Sequence, residues 1–388
     1  MIAPPWLGLP VKGYGGIEVV IQGLIRSLQK QGIDVVLYAN GSRKMRGVET
    51  RSLYATDIFD HIHDPYYETV STVQAHLLWA LNDIKKDGKF DIIHDHNPHI
   101  GPLFWAMATQ QDKVPPVLHT FHGPSFTGAE TDDPGAKYNT HDLEQMTALG
   151  KLYMVCISKA MTKGAPKQVM RHMLNPVHNS IDVSNFPFKK DKKNYFITLA
   201  RFTPYKGQHT AVKLARKLRK RLRMSGVVAG IGTNRKLLFE LSNPMSKYRN
   251  NIEFKYYSDK ILPYVLKYPS ITYAGNLGGA KKNKFIAEAK ALLFPIEWEE
   301  PFGMAVIEAL ACGTPVVAMR HGAMPEIIQH GVNGFLADNE EEFAEYMQRV
   351  NEIDPAECRK SVEKRFAASA MAENYIDRYR EAIERSKR

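Results

Sequence analysis

One stretch, residues 294–318, constrains the fold of this 388-residue chain more than any other. It reads FPIEWEEPFGMAVIEALACGTPVVA. The apolar run over 291–295 has the length of a strand, the apolar positions from Met304 recur at helical spacing, and 315–318 begins another buried strand. The stretch therefore predicts a strand–loop–helix–strand unit whose loop lies on the rim where open α/β sheets bind ligands.

Two carboxylates flank the start of the predicted helix, Glu300 in the loop and Glu308 in the second turn. Acids at these positions are also typical of a helix that only needs a favourable dipole and a solvated face. The Pro-Phe-Gly between them leaves room for a ligand to approach the backbone. The first backbone N–H groups of the helix are the donors of a natural anion site. These donors belong to Phe302, Gly303, Met304 and Ala305.

The pattern E-x-x-G-x-x-x-x-E followed by A-x-A-C-G-T-P-V-V-A resembles the signature of the retaining GT-B glycosyltransferases of family 4. Here it comprises Glu300, Gly303 and Glu308, followed by residues 309–318. The resemblance implies that Glu300 contacts the donor sugar and that Glu308 binds the ribose hydroxyls of the nucleotide.

A second element, Arg201-Phe202-Thr203-Pro204-Tyr205-Lys206-Gly207, follows a predicted strand over 195–200. It matches the R-x-x-x-x-K-G pattern of the same family. On a turn before a helix, Arg201 and Lys206 can both point at one diphosphate, Arg with a bidentate fork and Lys with a compact charge. In isolation the pair is equally typical of two solvated cations.

The N-terminal half carries weaker signals. Residues 1–5 are expected to be the end of a first strand that begins upstream. The glycine loop that ends in Gly15 and Gly16 precedes a predicted helix to Lys30 and could admit a phosphate, although such loops are often simple turns. Histidines follow the predicted strands over 90–94 and 114–120, which indicates either a site or a pair of polar strand caps. By the resemblance, His122 would hold the donor sugar.

Length and alternation give the architecture. A chain of 388 residues predicts two domains, and strands alternate with helices throughout. We expect an α/β protein of the GT-B class, with two doubly wound parallel-sheet, Rossmann-like domains facing across a cleft. The predicted ranges are 1–188 for the acceptor-side domain, 189–194 for a linker, 195–365 for the nucleotide-sugar domain, and 366–388 for a helix that the resemblance returns to the first domain.

Composition limits the partners. The net charge of +11 could serve nucleic acid, an anionic membrane or phosphorylated small molecules. No aromatic-interleaved or zinc motif accompanies the basic cluster, so nucleic-acid binding is not expected. The predicted helix 207–223 has a basic face that is either solvated or rests on anionic lipid at the inner face of the membrane.

The chain lacks an apolar run long enough to span a bilayer, a signal-peptide pattern and paired cysteines, which together predict a cytoplasmic protein. Neither histidine cluster, at 94–99 or at 61–64, has the helical spacing of a metal site. The family resemblance agrees that no metal and no cofactor is needed.

The expected activity is therefore transfer of a hexosyl group, with retention, from a nucleoside-diphosphate sugar to the hydroxyl of an unidentified sugar, glycan or lipid-linked acceptor, in cell-envelope glycan or glycolipid synthesis. UDP-glucose is the first candidate donor, on family frequency alone. Two alternatives stay open, a non-catalytic or regulatory nucleotide-sugar binder and a nucleotide-sugar epimerase. The joint presence of both cations and both glutamates argues against the first, and the epimerase lacks the Glu-x7-Glu pattern.

Overall fold

The computed structural model places the chain in two compact units. The first comprises Met1–Ile181 and Ala368–Arg388, and the second comprises Asp182–Ala367. The residues that the structure describes are 1–11, 16–60, 66–123, 126, 143 and 148–387. Gly15 and the histidine cluster at 61–64 lie outside them. The sequence also predicts a helix over 138–150, and most of that range lies outside the described residues as well.

The first unit is built on parallel strands. β1 (Val36–Tyr38) pairs with β2 (Glu49–Arg51), and three further strands form a sheet in the order β3-β4-β5. Ile2 forms parallel bridges to both Tyr38 and Asp95, so the first residues of the chain join β1 to β3. The sheet strands are β3 Ile93–Asp95, β4 Val117–Phe121 and β5 Leu152–Cys156.

Apolar helix faces cover this sheet. Leu24 and Leu28, four positions apart on the first helix, bury their side chains in one cluster with Tyr375 and Tyr379 of the C-terminal helix. The C-terminal helix is thereby part of the core of the first unit. The helices are α1 Gly16–Lys30, α2 Tyr66–Asp87, α3 Ile100–Ala108, α4 Lys167–His172 and the C-terminal helix Ala368–Arg385.

The second unit contains a six-stranded sheet in the order β11-β10-β9-β6-β7-β8, with every pairing parallel. In chain order the sheet runs outward from β6 in one direction and from β9 in the other. The direction of winding therefore reverses between β6 and β9, the point at which doubly wound sheets bind ligands. The strands are β6 Phe196–Leu199, β7 Leu222–Ser225, β8 Ile271–Tyr273, β9 Ala291–Phe294, β10 Val316–Met319 and β11 Gly334–Ala337.

The helices of the second unit pack around this sheet, and Phe202, Leu214 and Phe343 belong to one buried apolar cluster. They are α5 Gln208–Lys217, α6 Asn234–Ser242, α7 Ile252–Tyr256, α8 Leu262–Lys267, α9 Gly279–Ala287, α10 Met304–Ala311, α11 Met324–Ile327, α12 Glu340–Arg349 and α13 Pro355–Arg365. A π-helical turn, Tyr257–Ile261, joins α7 to α8, and short 3-10 turns cover Ala160–Thr162, Val183–Asn185, Pro204–Lys206, Lys247–Asn250 and Val350–Glu352.

The two parallel, helix-covered sheets confirm the predicted α/β class with two Rossmann-like units. Three local predictions are wrong. The helix predicted over 207–223 ends at Lys217, because Arg219 adopts a left-handed φ of 53° and Leu222 already belongs to β7. The apolar residues over 225–231 predict a strand there, but the strand β7 lies earlier, at Leu222–Ser225. The polar composition of 44–67 predicts an irregular segment, but this range contains strand β2.

No helix in the described part of the chain combines the length and apolar character needed to cross a bilayer. None of the three cysteines forms a disulfide, and all three are buried.

Candidate functional site

The turn after β6 is held against the loop after β9 by close backbone contact. Gly207 has φ of 66°, and a Cβ there would lie 1.7 Å from the carbonyl oxygen of Pro295, so only glycine fits. The backbone N–H of Glu297 donates to the carbonyl of Tyr205 at 2.9 Å. These contacts bring the cationic turn and the acidic loop together at the point where the winding of the sheet reverses.

The Lys206 ammonium forms an ion pair with Glu300, with Nζ 2.5 Å from Oε2. The side chains are only 16% and 11% exposed, so both charges are largely removed from water. Trp298 Nε1 donates to the same carboxylate oxygen at 2.9 Å. The Trp298 ring also lies under the ammonium, 4.6 Å from centroid to Nζ. Two of the sequence-predicted residues are therefore in direct contact, and Trp298 is a partner that the motif did not indicate.

Arg201 lies on the same turn and is fixed on two sides. Its Nη2 donates to the Tyr205 hydroxyl at 2.6 Å, and its Nε lies 3.2 Å from Oε1 of Glu253 on α7. Burial raises the pKa of Glu253 above its ordinary value, and the positive Arg201 opposes that rise. The Arg201 side chain is 54% exposed, so the guanidinium is oriented by Glu253 while part of it stays accessible. Glu253 lies outside every recognised motif, and no sequence signal marks it.

The loop that carries Glu300 is shaped by two glycines. Gly303 has φ of 93°, and a Cβ there would lie 2.7 Å from Cε of Met324. A Cβ on Gly322 would lie 2.3 Å from the backbone nitrogen and oxygen of Glu300. Ala323 N–H donates to the Glu300 carbonyl at 2.9 Å, so a second turn supports the loop from behind.

The helix that follows the loop, α10, starts at Met304 directly after Gly303. Helix geometry gives the first N–H groups, including those of Met304 and Ala305, no intrahelical acceptor, and the helix dipole favours an anion near them. The Phe302 ring is buried and lies edge-to-face with Phe366, with the ring centroids 5.8 Å apart. Phe302 therefore anchors the loop by its side chain, and its predicted ligand contact can come only from the backbone.

Glu308 lies within α10 and has a partner that the sequence did not indicate. Its Oε1 lies 2.6 Å from Nζ of Lys282 on α9, and the two side chains are 14% and 25% exposed. The ion pair orients the Glu308 carboxylate, which is mostly shielded from solvent.

The predicted sugar contact in the first unit, His122, follows β4 and bonds a second histidine. His122 Nε2 lies 2.8 Å from Nδ1 of His96, and the two rings are stacked. Burial lowers the pKa of His122 to about 3 and that of His96 well below its ordinary value, so both rings are neutral at pH 7.

The bonds of His96 determine where the protons lie. Its Nε2 lies 2.9 Å from Sδ of Met1, which can only accept. If His96 carries its proton on Nε2, facing this sulfur, its Nδ1 accepts and His122 donates from Nε2. In that tautomer His122 presents Nδ1 as a hydrogen-bond acceptor, a group suited to a sugar hydroxyl.

The other polar side chains at these strand ends are tied to one another. His119 Nδ1 lies 2.7 Å from Asp95 Oδ2, and His94 bonds the hydroxyls of Thr120 and Tyr379 at 2.8 and 2.7 Å. Within the described ranges, no three His, Cys, Asp or Glu side chains are arranged to hold a metal ion. The expectation that the protein needs no metal and no cofactor stays a prediction.

The glycine loop is described only in part. Gly15 lies outside the described residues, whereas Gly16 is the first residue of α1. Apart from its own chain neighbours and the backbone of its helix, no heavy atom of the described residues lies within 4 Å of the position of a Cβ on Gly16. Its predicted contact with phosphate stays a prediction.

Two family models match consecutive parts of the chain. Residues 14–184 match Glycosyltransferase Family 4, and residues 181–366 match Glycosyl transferases group 1. An uncharacterized glycosyltransferase of Methanocaldococcus jannaschii is 22% identical over 404 residues, which span 97% of this chain and 96% of the relative.

Solved structures show the same architecture. Sucrose-phosphate synthase from Thermosynechococcus elongatus aligns with a TM-score of 0.67 and 18% identity, covering 95% of this chain and 93% of that one. Anabaena HepE, solved in complex with UDP and glucose, aligns with a TM-score of 0.65 and 14% identity, covering 97% of each chain. At these identities the likeness shows the fold, which is that of the GT-B glycosyltransferases.

Proposed function

Because this chain belongs to the family 4, group 1 glycosyltransferases of the GT-B fold, we propose that it moves a hexosyl group from a nucleoside-diphosphate sugar to an acceptor hydroxyl with retention of configuration. UDP-glucose is the first candidate donor. Crystals of the structurally similar HepE hold UDP and glucose, which supports a UDP sugar here. The acceptor is a hydroxyl of a sugar, glycan or lipid-linked molecule.

The observation that carries the proposal is the buried pair between Lys206 and Glu300 at the reversal point of the sheet. A desolvated ammonium and carboxylate in contact are costly to maintain for stability alone, because each charge loses its hydration. The same two groups have complementary uses on a nucleotide sugar, since an ammonium binds diphosphate oxygens and a carboxylate accepts from sugar hydroxyls.

The leaving group gains negative charge as the bond from the anomeric carbon to the diphosphate breaks. Arg201 and Lys206 would stabilise that charge, together with the N–H groups at the start of α10. Gly15 and Gly16 would approach the phosphates through their backbone. Glu300 would hold the sugar hydroxyls and Glu308 the ribose hydroxyls, each as an acceptor.

The proposed retention does not require a covalent intermediate on the protein. Glu300 Oε2 already accepts from Lys206 and Trp298, which makes it a poor nucleophile. A front-face displacement, in which a leaving phosphate oxygen takes the acceptor proton, needs no protein nucleophile. His122, with Nδ1 as an acceptor, would bind a sugar hydroxyl.

A thermal-shift screen of the purified chain against UDP, GDP, ADP and TDP sugars identifies the donor, and hydrolysis and transfer assays with that donor test the reaction. We expect one nucleotide series to raise the unfolding midpoint and to support transfer, with product NMR showing the donor's anomeric configuration. Donor binding without hydrolysis or transfer would indicate a non-catalytic binder, and conversion of the free donor to its epimer would indicate an epimerase. An inverted product would contradict retention.

A further inference from the structure

The second unit exposes large apolar side chains over one short part of the chain. Five such side chains between residues 238 and 266 keep between 63% and 88% of their surface accessible. Elsewhere in the described ranges only Met107, at 68%, is a large apolar residue exposed to this degree. The five are Leu238, Phe239, Met245, Ile252 and Leu266. Singly exposed apolar residues are ordinary, but a cluster of them marks an interaction surface.

The first three of these residues lie on α6 and on the turn that follows it. Leu237 is the buried residue of α6, so Leu238 and Phe239 lie away from its core side, on the face that also carries Arg235. The guanidinium of Arg249 donates to the carbonyls of Leu241 and Asn243 at 2.9 and 3.2 Å. These bonds tie the chain after Met245 back to the C-terminal end of α6.

The charges around these apolar residues are mostly positive. Residues 235–255, called here the 235–255 surface, contain five Lys or Arg and two Glu. Glu253 is paired with Arg201, and Glu240 accepts from the Ser246 hydroxyl at 2.5 Å. The five cations are Arg235, Lys236, Lys247, Arg249 and Lys255. Exposed apolar side chains surrounded by cations are complementary to a surface whose outer layer is anionic and whose deeper layer is apolar.

Helix α5, whose basic face was predicted either to be solvated or to rest on anionic lipid, lacks this combination. Lys213 of α5 is paired with Glu340 at 2.6 Å, and the Arg216 guanidinium lies 5.1 Å from the centroid of the Tyr268 ring. No large apolar side chain of 208–223 is among the exposed ones. This helix can attract an anionic surface but has nothing to insert into it.

We propose that the 235–255 surface docks this protein onto a bilayer that contains anionic phospholipid. Leu238, Phe239 and Met245 enter the boundary between headgroups and acyl chains, while the surrounding Lys and Arg side chains contact lipid phosphates. The inference stands apart from the transfer reaction, because neither the apolar side chains nor the five cations belong to the proposed donor site. Glu253, which lies within the same range and contacts Arg201, has no part in the docking.

The test uses two methionines that are equally suited to labelling. Because the three native cysteines are buried, Met245→Cys and Met107→Cys each provide one exposed thiol for an environment-sensitive NBD dye. We expect vesicles of phosphatidylcholine and phosphatidylglycerol to shift the emission at position 245 to shorter wavelength and to leave position 107 unchanged. The shift is expected to shrink as salt rises, and vesicles of phosphatidylcholine alone to produce little of it.

Sedimentation with the same vesicles measures affinity on the full chain. The double variant Leu238→Ser/Phe239→Ser is expected to partition at least about tenfold more weakly, and Met107→Ser as well as the native chain. Three results would overturn the proposal. They are failure of the native chain to bind anionic vesicles, equal binding by the double variant, and a position-245 shift that follows protein concentration without vesicles, which would indicate contact between copies of the chain.

Discussion

Lys206 Nζ lies 2.5 Å from Glu300 Oε2, although 94 positions separate the two residues in the chain. Each residue follows a different strand, and the strands β6 and β9 are neighbours only because the winding of the sheet reverses between them. The pair therefore depends on the topology of the whole second unit. It also gives the proposed donor site an ammonium and a carboxylate that are already largely buried and oriented.

Replacing Lys206 by Ala is expected to lower kcat/KM by about 100- to 1000-fold, because one preorganised donor to the leaving diphosphate is lost. Steady-state transfer assays measure the loss. Lys213→Ala is the matched control, since that lysine forms an ion pair of similar length, 2.6 Å, with Glu340 in an exposed position. Near-normal turnover by the Lys206 variant would remove the diphosphate role.

Glu253 is expected to act as a positioning residue for Arg201. Glu253→Ala frees the guanidinium and should raise the donor KM about tenfold, the cost of one charge-assisted hydrogen bond. Glu253→Gln keeps an acceptor oxygen and should recover most of the affinity. Glu297→Ala, which removes an exposed partner of His209, serves as the control, and equal KM values for all of these proteins would rule out positioning.

Glu308 and Lys282 are expected to act as one unit in nucleotide binding. Glu308→Gln should weaken binding of the nucleoside diphosphate about tenfold, because the amide is a poorer acceptor for ribose hydroxyls than a carboxylate. Lys282→Ala should weaken it less, by leaving the carboxylate without its orienting partner. Calorimetry on both single variants and on the double variant measures the coupling, and strictly additive effects would mean that the pair has no joint role.

His96 is expected to determine the tautomer of His122. His96→Phe keeps an aromatic ring at this position but removes the nitrogen that bonds His122, so His122 can adopt either tautomer. We expect transfer to fall several-fold with little change in the unfolding midpoint. His96→Gln supplies an acceptor oxygen and should restore part of the activity. An active Phe variant would show that the bond between the two rings has no part in transfer.

Acid should destabilise the first unit before its carboxylates titrate. Burial lowers the pKa of His76 to about 4 and that of His122 to about 3, whereas the ordinary histidine value is 6.5. Between those values the unfolded chain binds protons that the folded chain does not, so the free energy of unfolding falls as pH decreases. Each such histidine contributes about 1.4 kcal/mol per pH unit.

Thermal or urea unfolding at a series of pH values measures this slope. His76→Gln removes one of the titrating groups without touching the donor site, and it should make the dependence shallower by about one proton. An unfolding midpoint that stays constant from about pH 7 to about pH 5 would contradict the buried neutral state of these histidines.

Several features of the molecule follow from local signals in the chain. The spacing of the apolar residues predicted α1, α10 and most of the parallel strands, because a helix or strand that packs on a core repeats apolar residues on one face. Gly207 and Gly303 lie where the structure needs a left-handed backbone at a close approach. The helix predicted over 207–223 extended past Arg219, because leucines continue at helical spacing there. Only the position of Leu222 in the sheet shows that the helix has already ended.

The sequence by itself determined the α/β class and the motif residues Arg201, Lys206, Glu300 and Glu308, because these depend on residue type and short-range spacing. Only the tertiary structure decided their partners: Glu253 for Arg201, Lys282 for Glu308 and His96 for His122. Each partner comes from a different strand or helix than the residue it orients. Strand order and helix packing create these contacts, and spacing along the chain carries no record of which distant side chains the fold will bring within hydrogen-bond distance.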